Sequence, residues 1–204
     1  MKNAAKDHPL LLCLCLAYLL LFISYLDLSK FWFTYTAAMT LLMTLSFLIE
    51  HPDSQKQPLR NSLLYGSLSG ALMYGITWTA SKWLPLLYPP LQIQLEDLYR
   101  LLSPASAWQY AVLILLIIPG EEIFWRGFVQ RKIHGHITTI PSVLLAALLY
   151  TLPLAFSGNI LLLLAGIGGG LLWGTLYAWK KNLQMVIISH LLFDLLLLAV
   201  FPLQ

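Results

Sequence analysis

The chain is a succession of apolar runs separated by short polar breaks, and most of the runs are long enough to cross a bilayer. Crossing hydrocarbon takes ~20 residues of helix. Residues 9–26, 31–49, 61 to about 81, 107 to about 133, 140–156, 160–179 and 183–201 meet or approach that length. Inside lipid each segment must satisfy its own backbone polar groups, which helices do and open strands do not. The expected fold is therefore all-α, a polytopic bundle of about seven transmembrane spans. Residues 82–106, with Pro85, Pro89, Pro90, Glu96, Asp97 and Arg100, read as a long external connection holding a short interfacial helix around residues 91–102.

Composition narrows the classes further. Only 10% of the 204 residues are charged and mean hydropathy is +0.75, against ~25% charged in an ordinary soluble chain. A second, soluble domain has no room, so residues 1–204 are read as one membrane domain. The net charge of +3 is no nucleic-acid signal, because the basic residues sit in short loops beside apolar spans, where they set orientation. With Arg126 left out as intramembrane, one side holds Lys2, Lys6, Lys56, Arg60, Arg131, Lys132, Lys180 and Lys181, and the other Lys30, Lys82 and Arg100. That asymmetry places the chain in the cell membrane with a cytoplasmic N-terminus and an external C-terminus. The start of the chain has Lys2 and Lys6 ahead of an apolar run but no small-residue cleavage site, so an uncleaved first span is expected.

Cys13 and Cys15 stand two apart on different helix faces, unsuited to a mutual disulfide or a C-x-x-C site. Two ridges of small residues, Ser62, Gly66, Gly70 and Gly166, Gly170, Gly174, read as surfaces where helices approach closely within the bundle.

Against this background the run Pro119-Gly120-Glu121-Glu122-Ile123-Phe124-Trp125-Arg126-Gly127 is anomalous, since it sets three ionised side chains in an apolar span. At about 2.5–3.5 kcal/mol each on insertion scales, leaving them unpaired would cost roughly 8–10 kcal/mol. Glu122 and Arg126 are four apart and can pair on one face. Glu121 is turned about 100° away, beside a second carboxylate in an apolar setting, where a group can be poised to hold or release a proton. One glutamate would have sufficed to neutralise Arg126, so the second asks for a function.

The last span repeats the anomaly with Ser189-His190-Leu191-Leu192-Phe193-Asp194, whose His190 and Asp194 share a face. Counting inward from the polar breaks, His190 lies about 10 Å deep and Glu122 about 16 Å deep from the same leaflet, at 1.5 Å per residue. Two helices thus bring four titratable groups and an arginine to similar depth, and such an intramembrane site is functional by default. Three chemistries could use it. A carboxylate base with a histidine can activate water and stabilise an oxyanion, hydrolysing an amide. The same groups could hold a divalent metal such as zinc, although H-E-x-x-H is missing and ligands are few. They could also relay protons in a transporter.

Glu121-Glu122-x-x-x-Arg126 followed by His190-x-x-x-Asp194, each on its own membrane helix, resembles the CPBP family, the CAAX prenyl protease and bacteriocin-processing (Abi) intramembrane endopeptidases. The match covers about the last hundred residues, roughly 105–204, leaving the N-terminal spans over residues 9–81 as accessory. The wording Phe124-Trp125-Arg126-Gly127 is similar to that of bacterial members. The resemblance implies a glutamate-type protease. Glu121 would activate water, Glu122 and Arg126 would organise the site, and His190 with Asp194 would polarise the scissile carbonyl. The implied substrate is a membrane-associated peptide or protein, with no nucleic acid and no cofactor. The family often carries Asn at the Asp194 position. A larger departure is Leu154, four residues after Tyr150, where the family usually has a histidine that helps hold the attacking water. A member without catalysis, which binds a membrane peptide or partner in the same cavity, is therefore a second reading.

Overall fold

In a computed structural model the chain is described over residues 4–51, 55 and 57–203, with side chains from residue 8 onward. Those residues form eight helices. They are α1 (Ala4–Leu26), α2 (Phe31–Ile49), α3 (Leu59–Leu87), α4 (Pro90–Leu102), α5 (Ala107–His134), α6 (Thr139–Thr151), α7 (Ile160–Lys180) and α8 (Leu183–Leu195). A 3-10 turn, Leu152–Ser157, extends α6, and a π-turn, Leu196–Val200, extends α8. The all-α membrane architecture is as expected from the apolar runs. Asn159 and Asn182 start α7 and α8 by accepting from the amides of Leu162 and Met185. Lys181, at φ +47°, supplies the left-handed residue that ends α7.

Five helical segments are long and apolar enough to cross a membrane, and six if the bent pair of α4 and α5, at 91°, counts as one span. The expected seventh, residues 61–81, is a continuous helix of 29 residues, α3, long enough at ~1.5 Å per residue but short of the apolarity of the rest. Its hydroxyls explain the difference. Ser69, Thr77, Thr79 and Ser81 each donate to a carbonyl three or four residues back in α3 itself, which satisfies them inside the helix at the expense of hydropathy.

The connection expected over residues 82–106 is also shorter than the sequence suggested. Helix α3 runs through Pro85 to Leu87 and closes with the Tyr88 amide on the Leu84 carbonyl. Proline forfeits its own N–H but leaves the bonds of the following residues intact, and the apolar run 83–87 continues the helix.

Glycine ridges bring the helices together. A Cβ on Gly66 would lie 2.8 Å from the Met185 carbonyl oxygen, and one on Gly70 would lie 2.4 Å from that of Ser189. Helix α3 therefore lies backbone-to-backbone on α8. Gly170 of α7 meets Ala147 of α6 in the same way. Cys13 is buried, Cys15 exposed, and both are free.

The last turn of α5 and the segments that follow α2 and α7 meet at one end of the bundle. Arg131 and Lys132 both pair with Glu50, Arg131 also donates to the His51 carbonyl, and the Gln55 amide donates to the Lys181 carbonyl at 2.7 Å. Burial alone would raise the Glu50 carboxyl. Lys132 and Arg131 outweigh it and hold the group below its usual value. Among the basic residues counted for orientation, Lys2 and Lys56 lie outside the described residues.

Candidate active site

Helix α5 is not a regular α-helix. Pro119 has no amide hydrogen to give, and the turn before it, Leu113–Ile117, is π-helical, closed by the Ile118 amide on the Leu113 carbonyl five residues back. A second π segment, Ile123–Gln130, follows directly after Glu122. Wide turns of this kind occur often at functional sites, and here they flank the two glutamates. Nothing in the apolar pattern announced them.

Gly120 then lets a neighbour in. A Cβ there would stand 3.2 Å from both Cβ and the carbonyl oxygen of Met39, so α2 packs tightly against α5 at the residue before Glu121. One turn earlier on α2 is Tyr35, whose hydroxyl donates to Glu121 Oε1 at 2.6 Å. From α6, Tyr150 donates to the other oxygen, Oε2, at 3.2 Å. Glu121 is thus held from two sides by phenols on two different helices.

Glu122, fully buried, points the other way. Its Oε1 accepts from Arg126 Nη1 at 3.2 Å and lies 2.7 Å from Nδ1 of His190 on α8. Arg126, also buried, reaches on to the Gly169 carbonyl at 3.4 Å and lies over the Tyr150 ring, 4.4 Å from its centroid. The second nitrogen of His190 is 3.6 Å from Asp194 Oδ2, a close charge but beyond hydrogen-bond reach. Trp173 of α7 stacks on the imidazole at 3.7 Å and 22°, and its Nε1 donates to Ser189 Oγ. Ser189 also accepts from Ser69 of α3.

The five residues singled out in the sequence, Glu121, Glu122, Arg126, His190 and Asp194, therefore converge. Glu121, Tyr150, Leu154, Trp173, His190 and Asp194 all line one cavity of about 120 Å³, on the order of a few water volumes. Leu154, on the 3-10 turn after α6, faces it directly. Beside it lies a larger, partly open apolar chamber of about 530 Å³, lined by α3, α4, α7 and the π-turn after α8. Leu98, Leu102, Ala165, Leu197 and Leu198 line both. Among the described residues no three His, Cys, Asp or Glu side chains form a group able to hold a metal ion.

Tyr35 and Trp173 escaped the sequence reading. Each contacts a partner far along the chain, and neither stands in a spacing that marks it off from ordinary core aromatics. Tyr150 was legible only as a landmark four residues before Leu154.

No curated protein and no solved structure matches the chain. Residues 103–196 match the family model described as type II CAAX prenyl endopeptidase Rce1-like. That stretch contains both glutamates, Arg126, Tyr150, Leu154, Trp173, His190 and Asp194, and leaves out Tyr35. Over the segment that carries both motifs, 94 of the 204 residues, the chain is similar to the type II CAAX prenyl endopeptidase Rce1-like family.

Proposed function

We propose that this multi-pass membrane protein is an intramembrane endopeptidase in which Glu121 activates a water for attack on a peptide bond. The observation that carries the reading is the shared cavity, with the Glu121 carboxylate and the His190 imidazole on the wall of one small chamber within an apolar bundle. A base must stand within reach of the proton it takes. Glu121, gripped by Tyr35 and Tyr150, presents a carboxylate of fixed orientation. His190, bonded to Glu122 and stacked on Trp173, presents the other ring nitrogen toward Asp194 and, as an imidazolium with a hydrogen on each nitrogen, can donate to the scissile carbonyl and polarise it. Glu122 and Arg126 do not touch the reacting atoms in this scheme; they fix His190.

The substrate is a membrane-associated or leader-bearing peptide. The apolar chamber adjoining the site gives its hydrophobic side chains a place while the scissile carbonyl faces Glu121. The N-terminus is cytoplasmic in this reading, in keeping with the basic loops gathered at one end of the bundle.

Leu154 favours a second reading, a peptide-binding relative without catalysis, because it puts an aliphatic side chain on the cavity wall where a polar group would help hold water. One experiment separates the two. Wild-type protein, Glu121→Gln and Leu154→His are reconstituted in vesicles with a pool of membrane peptides, and products are identified by mass spectrometry. Cleavage by wild type that vanishes in Glu121→Gln supports the protease. Intact peptides throughout, with Leu154→His included, would leave only capture.

A further inference from the structure

The family-matching segment starts at residue 103, yet the shortest hydrogen bond to Glu121 comes from residue 35. We infer that Tyr35 is a positioning residue for Glu121, so that the N-terminal helices complete the active site rather than merely flank it. The inference rests on the reading of Glu121 as the base, and its test is arranged so that the two can fail separately.

Three observations carry it. First, the contact is built, not incidental. Gly120 lets α2 approach closely, since a Cβ there would stand only 3.2 Å from the Cβ and carbonyl oxygen of Met39, and Tyr35, one turn from Met39, is thereby set against Glu121. Second, the Tyr35 ring has little freedom. It is buried, tilted against Phe31 with centroids 5.0 Å apart and edge-on to Tyr25 at 6.4 Å. Its hydroxyl is therefore aimed by packing before any substrate arrives. Third, Tyr35 and Tyr150 divide the carboxylate between them, one oxygen each. With both donors in place, the group cannot turn about its last bond without breaking a hydrogen bond. With Tyr35 gone it hangs from Tyr150 alone, by the longer of the two contacts.

The chemical consequence follows from counting lone pairs. A carboxylate offers about four acceptor positions. The two phenols occupy two of them and leave one on each oxygen for the cavity, where a water can be held and its proton taken. Loss of the Tyr35 hydroxyl leaves the number of bases unchanged and frees the orientation. Reacting groups misplaced by about 1 Å lose on the order of a hundredfold in rate, so the defect belongs in kcat rather than KM.

The test uses the full chain and the substitution Tyr35→Phe, which keeps the ring packing and deletes only the hydroxyl. Infrared difference spectra give a readout that needs no substrate. The carboxyl and carboxylate bands of Glu121 are assigned by their loss in Glu121→Gln. They should shift in Tyr35→Phe and stay in place in Tyr18→Phe, where the deleted hydroxyl donates to the Leu149 carbonyl. With a cleavable membrane peptide, kcat should fall about tenfold to a hundredfold while KM is unchanged. Bands that stay put in folded Tyr35→Phe overturn the inference. Should that variant not fold, the tyrosine C–O band in Glu121→Gln decides, and an unmoved band overturns the inference equally. A shifted Glu121 band in a protein that cleaves nothing sinks the protease reading and leaves the hold of Tyr35 on Glu121 standing.

Discussion

The imidazole of His190 is bonded to Glu122, with Nδ1 2.7 Å from Oε1. A carboxylate only accepts, so Nδ1 is assigned the hydrogen and donates it. Arg126 donates to the same oxygen at 3.2 Å. The two adjacent glutamates consequently have different partners. Glu121 touches only phenols among the described hydrogen bonds, while Glu122 is locked between a guanidinium and an imidazole. A doubled acidic motif that looks redundant in one dimension is two separate devices in three.

Removing the guanidinium should therefore damage stability first. Arg126→Met leaves the buried Glu122 with the His190 ring alone as a partner, and breaking a buried pair from one side costs about 3–5 kcal/mol. Thermal and denaturant unfolding in detergent should show that loss. Glu122→Gln, which removes the buried charge while keeping the shape, should lose less.

The α3–α8 contact gives a sharper steric prediction. Gly70→Ala sets a methyl 2.4 Å from the Ser189 carbonyl oxygen, so α8 must move, carrying Ser189 and His190 with it. Overpacking of this sort costs about 1–3 kcal/mol. Gly75→Ala, whose methyl meets nothing within 4 Å, should be neutral or slightly stabilising through helix propensity. Comparing the two midpoints of unfolding, with cleavage measured alongside, isolates the steric effect.

Gly120→Ala should act on chemistry as well as on stability. The Met39 Cβ and carbonyl oxygen, each 3.2 Å from the added methyl, must give by a few tenths of an ångström, and because both are fixed to the backbone α2 itself has to shift. The same displacement lengthens the contact between Tyr35 and Glu121. The turnover rate should fall, the melting temperature should drop by the equivalent of about 1–3 kcal/mol of overpacking, and the Glu121 infrared bands should move in the same sense as in Tyr35→Phe.

Leu154→His should raise cleavage. Leu154 lies on the wall of the cavity that also holds Glu121 and His190, and an imidazole of similar volume there supplies another group to orient water. A gain of about tenfold or more over wild type, measured on the same membrane peptide, is expected. No gain would mean that the position is already served by other groups.

Acid should loosen the end of the bundle where α2 meets α5. The folded Glu50 carboxyl is held below its ordinary value of 4.5, so its pairing with Arg131 and Lys132 contributes in full above that value. The contribution is lost as pH falls through the depressed folded value. The melting temperature of wild type should drop over that acidic interval more than that of Glu50→Gln. Because Glu50 is about one-third exposed (34%), the difference should be small and should shrink further in high salt.

How much of this was legible beforehand depends on the range of each contact. Glu122 with Arg126 and His190 with Asp194 are four residues apart, a spacing that a helix converts directly into proximity, so both pairs could be read from the chain. Their union across α5 and α8 was reachable through depth, since helix rise is uniform. Tyr35 meets Glu121 across 86 residues, and Trp173 meets His190 through a stacking that no periodicity encodes. The π-helical turns around Pro119 depend on which carbonyls find amides, and the continuation of α3 past Pro85 on a balance between one lost bond and an apolar tail. Hydropathy registers neither.

The stacking of Trp173 on His190 has a practical consequence. Indole fluorescence is quenched by an adjacent imidazolium, so a variant retaining Trp173 alone of the seven tryptophans would carry an optical gauge of the ring's charge. Titrated in vesicles, its emission would report when the imidazole gains or loses a proton, in real time and without any peptide present.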